Sequence, residues 1–286
     1  MLGGEIEVTE GMLPVAAASM DFAERDVAMW CDAGGEIIHG EFLGLLSKLG
    51  VTNTSLLQVL SQIYNRDQTI KPEYQAQLKE HEAEVLAFCS KYGYVDEDMP
   101  LIPHYPVAIV NGAFPEERFG MVKRMLDCGI TFDQLFVITT TGVELAGADG
   151  SKTNELENMK RVCDSFGISE KIADIVYIDA AAYDVTRTAG IEHKKTANTA
   201  DTVIELFKEY SGSFTKVIDE VKEVLVVSNQ PYNLYQKNVF DMIASEHFTA
   251  KCLKTLVAGS RYLCDEISTI FTAMIKNIFY VQSKKG

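Results

Sequence analysis

Residues 107–119 read VAIVNGAFPEERF, and this stretch decides the fold class. It begins with a continuous apolar run at 107–110, which is typical of a strand buried on both faces of a parallel sheet. Asn111 and Gly112 end the run, and Pro115 suits a first helical turn because its missing N–H needs no partner there. Apolar residues then recur at helical spacing. The stretch therefore predicts a strand, a tight turn and a helix in succession.

The same succession recurs three more times along the chain. Each time, an apolar run is followed by a polar loop and then by a segment with helical spacing. Alternating strands and helices of this kind predict a parallel sheet that helices cover on both faces. We therefore expect an α/β fold, a Rossmann-like doubly wound parallel sheet, over residues 101–246. The further runs are 135–138, 175–178 and 224–227, and the helical segments after them are 154–166, 198–210 and 232–245.

The segments that flank the α/β region carry different patterns. Residues 1–20 contain glycines and a proline without clear periodicity, which predicts a flexible arm. Residues 21–100 are predicted to form an added acidic helical segment, broken once by a pair of glycines and including one long helix over 73–92. Apolar spacing over 247–286 predicts C-terminal helices that pack on the rest of the chain.

The charge of the chain is unevenly distributed. The 286 residues have a formal net charge of −15, and residues 1–100 hold 17 acidic side chains against 6 basic ones. Nucleic acid is excluded as the main partner because phosphate binding needs clustered Lys and Arg, and docking on an anionic membrane is disfavoured for the same reason. The acidic helical segment instead suits a basic protein partner.

The cysteines and the apolar stretches indicate a compartment. None of the six cysteines belongs to a CxxC pair or has a histidine at metal-ligand spacing, so we expect reduced thiols and no metal. The N-terminus lacks a basic region followed by a long apolar core, and the apolar stretches are too short for a membrane span. A cytoplasmic protein is expected.

Candidate ligand residues follow the predicted strands, because parallel sheets of this type bind ligands outside the carboxyl ends of their strands. After the first strand, Gly112 allows close backbone approach, and Arg118 lies near a helix start that favours anions. Asn111 precedes them. The alternative is an ordinary strand-to-helix turn in which Arg118 pairs with a surface carboxylate.

The other three loops add polar groups. The candidates are Thr141, Gly142 and Glu155 after the second strand, Asn198 and Thr199 after the third, and Asn229, Gln230 and Tyr232 after the fourth. The candidates after the second and third strands have structural alternatives: β propensity for the threonine, dipole stabilisation for Glu155, and helix capping for Asn198 or Thr199.

Known catalytic motifs are missing from these loops. GxSxG, HExxH, GxxxxGK[ST] and GxGxxG do not occur. His104 precedes the first strand and is expected at the opposite edge of the sheet. A general base, if one exists, is a carboxylate such as Glu155 or Asp179. The residues predict a polar pocket for a nucleotide-like molecule and assign no reaction.

The order and spacing of these loops resemble the YdcF-like family (domain of unknown function 218, which includes SanA and ElyC). The resemblance covers about half of the chain and implies a Rossmann-like fold and a nucleotide-type ligand, which is S-adenosylmethionine in one branch. The family has an Arg near Tyr235 or Gln236, whereas this chain has neither Arg nor His there, and Lys237 substitutes for it only partly. The matching segments are 107–118, 138–142 with 154–159, 196–201 and 224–232.

Two functions of different classes follow. The first is a small-molecule-binding protein whose pocket uses the loop residues named above. The second is a catalytically degenerate member that engages a basic partner through its acidic helical segment. Methyl transfer is a weaker third reading, because the glycine-rich first loop typical of that activity is absent and binding S-adenosylmethionine does not imply it.

Overall fold

A computed structural model describes residues 27–65, 69–100, 102–140, 144–146, 152–180, 185–188, 191–194, 198–220, 223–247, 254–261 and 266–283. The arm expected at 1–20 lies outside these residues. A 3-10 turn at Val27–Met29 precedes the helices α1 (Gly40–Lys48), α2 (Leu56–Ile63), α3 (Pro72–Glu80) and α4 (Glu82–Lys91). The α/β region begins with β1 (His104–Asn111), α5 (Pro115–Asp127) and β2 (Thr131–Thr139).

The remaining elements continue the alternation. They are β3 (Glu144–Ala146), β4 (Lys152–Asn154), α6 (Glu155–Ser165), β5 (Ile175–Asp179), β6 (Val185–Thr188), β7 (Ile191–Lys194), α7 (Thr199–Glu220), β8 (Glu223–Asn229), α8 (Asn233–His247), β9 (Lys254–Ser260) and α9 (Ile267–Ser283). The pairs β3–β4 and β6–β7 are antiparallel hairpins.

The main sheet has five parallel strands in the order β5-β2-β1-β8-β9. Counted along the chain, its strands lie in the order 3-2-1-4-5, which is the Rossmann order. The predicted α/β class and parallel sheet are confirmed. The strand order reverses between β1 and β8, and such a switch point opens a crevice outside the carboxyl ends of the two strands.

Helices cover both faces of the sheet, and the alternation along β1 shows how. Ala108 and Val110 face α5 and α6, whereas Val107 and Ile109 face α7 and α8. Because side chains on a strand point alternately to opposite faces, both halves of the run are buried. This explains why the strand is apolar throughout.

The prediction of helices over all of 247–286 is wrong for residues 254–260. These residues form β9, which pairs in parallel with β8 over seven positions. The run Leu256-Val257-Ala258 is short and lies among polar residues and a glycine, so it lacks the strong apolar signal of the other strands. Its pairing satisfies the backbone groups that β8 would otherwise leave open at the sheet edge.

Two details of the helical segment also differ from prediction. The helix expected over 73–92 is two helices, α3 and α4, that meet at His81 with φ −102° and ψ 23°. The helix expected to resume after the glycine pair instead begins at Gly40, because Cys31 and Ile37 form a β-bridge across a tight turn. Gly35 has φ +82° in that turn, a conformation that glycine adopts without strain.

The helical segment shares an apolar core with α9. Trp30, Phe42 and Val85 are buried in the same cluster as Phe271 and Met274 of α9. Among the described residues, no helix is long and apolar enough to cross a membrane.

Candidate functional site

A cavity of about 340 Å³ lies at the carboxyl ends of β1 and β8, where the strand order reverses. Seven of the residues predicted from the sequence line it: Asn111, Gly112, Arg118, Glu155, Asn198, Thr199 and Tyr232. The remaining lining residues are Ala113, Phe114, Ile138, Thr140, Thr202, Tyr235, Gln236, Ala273 and Lys276.

Arg118 is a buried cation with an unused donor. Its side chain is 1% exposed, and its Nε donates to Asn229 Oδ1 at 2.9 Å. Its Nη1 has no hydrogen-bond partner among the described residues. Burial lowers the pKa of Arg118 to about 10, while the charge of Glu155 acts in the opposite direction, so the guanidinium remains protonated at neutral pH. A buried charge without a full set of partners is unfavourable, so an anionic group in contact with Nη1 would stabilise it.

Glu155 is the carboxylate of the cavity. It opens α6, and its Oε2 accepts a hydrogen bond from the backbone N–H of Thr140 at 3.0 Å. Burial raises the pKa of Glu155 above its ordinary value, against the opposing effects of the Thr140 N–H and the Arg118 charge. Asn154 caps α6 by accepting from the N–H of Glu157 at 2.9 Å. The helix start therefore aims Glu155 at the cavity.

Gly112 leaves the space that Glu155 fills. A Cβ at this position would lie 2.7 Å from Cδ and 3.0 Å from Oε1 of Glu155, and closer still to Oε2. Gly112 has no left-handed φ, so the requirement for glycine is close approach and not backbone conformation. The group that approaches Gly112 closely is thus the Glu155 carboxylate, and a ligand contact at Gly112 stays a prediction.

The turn after Gly112 is strained. Ala113 and Phe114 have φ 64° and 45°, in the left-handed region that residues with a Cβ rarely adopt. Such conformations cost free energy and concentrate at ligand-binding sites. Here the turn places the 45%-exposed Phe114 ring against Tyr232, with centroids 5.9 Å apart and planes 20° apart. The Arg118 guanidinium carbon lies 5.8 Å from the Phe114 centroid.

Two asparagines at the cavity have structural partners. Asn111 donates through Nδ2 to Gln236 Oε1 at 2.5 Å, and both side chains are buried. Asn198 Oδ1 accepts from the N–H groups of Ala200 at 2.8 Å and Asp201 at 3.2 Å. The expectation that Asn198 or Thr199 caps the helix is confirmed for Asn198.

The structure does not bring Gln230 into the cavity. Its Nε2 donates to the carbonyl oxygens of Gly93 at 3.0 Å and Asp96 at 2.8 Å, and to Asp98 Oδ2 at 3.1 Å. Asn233, the first residue of α8, donates to the same Asp98 oxygen at 2.9 Å. Gln230 therefore ties residues 93–98, which form an acidic linker between α4 and β1, to the end of β8. Asn229 does not line the cavity either, but its Oδ1 accepts the hydrogen bond from Arg118 Nε.

Other predicted positions lie elsewhere. Thr141 and Gly142 are outside the described residues, so their predicted role stays a prediction. Asp179 is exposed at the end of β5 and does not line the cavity. His104 starts β1 at the opposite edge, as expected, and its Nδ1 lies 2.9 Å from Thr131 Oγ1.

Sequence reasoning missed several lining residues. Phe114 and Thr140 lie in loops that also contain predicted residues, so their position after a strand is a signal that could have identified them. Gln236 lies one turn into α8, and helical spacing from Tyr232 places both on one helix face. Ala273 and Lys276 come from α9, and no local signal connects that helix with the site.

Comparison of the sequence with protein-family models gives no match, and comparison with curated proteins gives none either. Among the described residues, no group of His, Cys, Asp and Glu side chains is arranged to hold a metal ion.

Proposed function

We propose that this protein binds a small nucleotide-like ligand with an anionic group, such as S-adenosylmethionine, in the cavity between β1 and β8. The observation that supports this proposal most directly is Arg118, a cavity-lining residue whose guanidinium is buried and whose Nη1 has no hydrogen-bond partner among the described residues. A carboxylate or phosphate of the ligand supplies the missing partner in a charge-assisted hydrogen bond.

The electrostatics of the cavity favour an anion in an otherwise acidic protein. Among the residues that the structure describes, the charged side chains that line it are Arg118, Lys276 and Glu155, two cations and one carboxylate. The N-termini of α5 and α7 also lie there, and helix N-termini stabilise negative charge. The net charge of −15 is a property of the whole chain and does not predict the electrostatic character of this cavity.

The remaining lining suits the uncharged parts of a nucleotide-like molecule. Tyr232 and Phe114 offer aromatic surface, and Ile138 and Ala273 offer apolar contacts. Glu155 can accept hydrogen bonds from ribose hydroxyls, as acidic residues do in dinucleotide-binding sheets. A volume of about 340 Å³ is in the range of small-molecule sites.

The resemblance to the YdcF-like family supports the same ligand class. Its four matching segments contribute Arg118, Glu155, Asn198 and Tyr232, and these four residues line one cavity. No reaction is proposed, because the cavity holds an arginine and a carboxylate without a recognisable nucleophile–base pair among its described residues.

Isothermal titration calorimetry with a ligand panel tests the proposal. The panel comprises S-adenosylmethionine, S-adenosylhomocysteine, adenosine, AMP, ADP and ATP. We expect at least one anionic member to bind, and Arg118→Met to weaken it by a factor of about 10 to 100, the worth of a hydrogen bond to a charged group.

The matched control is Arg124→Met on the same helix, because Arg124 pairs with Glu97 at 2.5 Å and does not line the cavity. The control is expected to bind like wild type. If no panel member binds, or if Arg118→Met binds as tightly as wild type while folded by circular dichroism, the proposed function is wrong.

A further inference from the structure

Helix α9 lies outside the strand–helix alternation, yet it forms part of the cavity wall. One side of α9 is buried with the N-terminal helices, through Ile270, Phe271, Met274 and Ile278. Ala273 and Lys276 line the cavity at the carboxyl ends of β1 and β8. Residues three apart lie on one face of a helix, so α9 turns a second face to the site.

Lys276 is an available cation at this wall. Its side chain is exposed, and it makes no ion pair with a residue that the structure describes. Arg118, in contrast, is buried. The two cations of the cavity therefore differ in depth, with one enclosed by protein and one open to solvent.

The basic residue nearest the family-like position in α8 does not serve the site. Lys237 forms an ion pair with Asp241 one turn further along α8, with Nζ 2.5 Å from Oδ2. It does not line the cavity, whereas its neighbours Tyr235 and Gln236 do. A second cation for an anionic ligand is therefore available from α9 and not from α8.

We propose that Lys276 binds an anionic oxygen group of the ligand, a phosphate or a carboxylate, at the solvent-exposed side of the cavity. Arg118 binds the ligand at the buried side, so the preferred ligands carry negative charge that reaches both. This inference rests on the proposed function and deepens it. It also gives the N-terminal helical segment a role, because that segment holds α9 in place through their shared core.

The physical signature of this contact is salt dependence. Lys276 is exposed, so its attraction for an anion is screened by ions with a Debye length of about 20 Å at 0.02 M salt and about 6 Å at 0.3 M. We expect Lys276→Met to weaken an anionic probe about three- to fivefold at low salt and distinctly less at high salt. If Lys276 contacted the ligand only through its apolar methylene groups, the effect of Lys276→Met on the binding affinity would be the same at both salt concentrations.

The experiment measures binding of pyrophosphate, ADP and adenosine by calorimetry at both salt concentrations. We expect Lys276→Met to weaken pyrophosphate and ADP but not adenosine, and Lys276→Arg to bind within about twofold of wild type, since it keeps the charge. Lys237→Met is the matched control and is expected to bind like wild type. Lys276→Gln is a second neutral variant, and thermal melts verify that each protein folds.

The outcomes separate this inference from the proposed function. If ADP binds and both neutral variants equal wild type, Lys276 is no ligand contact and the proposed function stands. If pyrophosphate binds in a Lys276-dependent manner while adenosine, ADP and the S-adenosyl compounds bind no better than pyrophosphate, the anion site stands and the nucleotide-like ligand does not. If neither anionic probe binds, this inference is overturned, and the proposed function is then decided by the other members of the ligand panel.

Discussion

Replacing Gly112 with alanine tests the arrangement of the site without any knowledge of the ligand. A Cβ at position 112 would lie 2.7 Å from Cδ and 3.0 Å from Oε1 of Glu155, well inside ordinary contact distance. The Glu155 carboxylate must therefore move. Its Oε2 accepts from the Thr140 N–H at 3.0 Å, so a displacement of about 1 Å takes the pair out of hydrogen-bond range.

The cost follows from that lost bond. A hydrogen bond to a charged group contributes about 1.5–3 kcal/mol. Replacing glycine restricts the unfolded chain and returns about 0.4–1 kcal/mol where the backbone conformation is compatible, as the φ of Gly112 allows. We expect Gly112→Ala to lower the free energy of unfolding by about 1–2 kcal/mol.

A double-mutant cycle with Glu155→Ala isolates the contact. Once the carboxylate is absent, the new methyl group has space, so Gly112→Ala is expected to be neutral or slightly stabilising in that background. The coupling between the two positions is then about 2 kcal/mol. The assay is urea denaturation of the four proteins followed by far-UV circular dichroism, because the single tryptophan, Trp30, lies in the N-terminal helical core and does not report on the sheet.

Gly120→Ala is the matched control in the helix that follows the turn. The nearest atoms to its added Cβ belong to Phe166 at 4.0 Å, and α5 is helical there. Alanine is expected to stabilise this position by about 0.5–1 kcal/mol. If Gly112→Ala costs the same with and without Glu155, the carboxylate does not lie against Gly112 and the described geometry of the site is wrong.

Three further results are expected. Ala113→Gly relieves a left-handed conformation and should raise the free energy of unfolding by about 1 kcal/mol, seen as a higher Tm, whereas an unchanged or lower Tm contradicts the strained turn. Asn154→Ala removes the cap of α6 and should cost about 1 kcal/mol in urea denaturation, and a cost-free substitution would mean that the cap contributes nothing. Burial raises the pKa of Glu155, so the folded chain binds this proton more tightly than the unfolded chain, and the contribution of Glu155 to stability falls as pH rises above its ordinary pKa of 4.5. Glu155→Gln should therefore gain stability relative to wild type between acidic and neutral pH in a series of unfolding measurements, and a pH-independent difference would contradict the buried carboxylate.

Local sequence patterns were sufficient to predict the strands that are buried on both faces of the sheet. In β1 and β8 the apolar run, the terminal polar residues and the following helical spacing lie within a few residues of one another. In β2 and β5 the apolar run and the polar residues are adjacent, and the next helix begins after a short hairpin, at Glu155 and Thr199. β9 lacks such a run and becomes a strand because β8 offers it an open edge. That pairing joins segments that are separated by a whole helix.

Some residues of the site could likewise be predicted from local sequence, whereas others depend on tertiary packing. Asn111, Gly112 and Arg118 could be placed at the carboxyl edge because they follow a strand directly, and every strand of a parallel sheet ends at that edge. Gln230 follows a strand just as directly, yet it contacts the linker at Asp96, while Gln236 faces the cavity. Both are polar residues near the end of β8, and only the packing of the linker distinguishes them.

The sequence by itself determined the α/β class, the direction of the strands and the edge at which most of the candidate residues converge, since these follow from the spacing of neighbouring residues. Tertiary packing decided that Arg118 is buried with an unpartnered donor, that Glu155 fills the space left by Gly112, and that Lys276 reaches the cavity from α9. Burial and close approach depend on residues far apart in the chain, and no local pattern records which distant helix closes the wall.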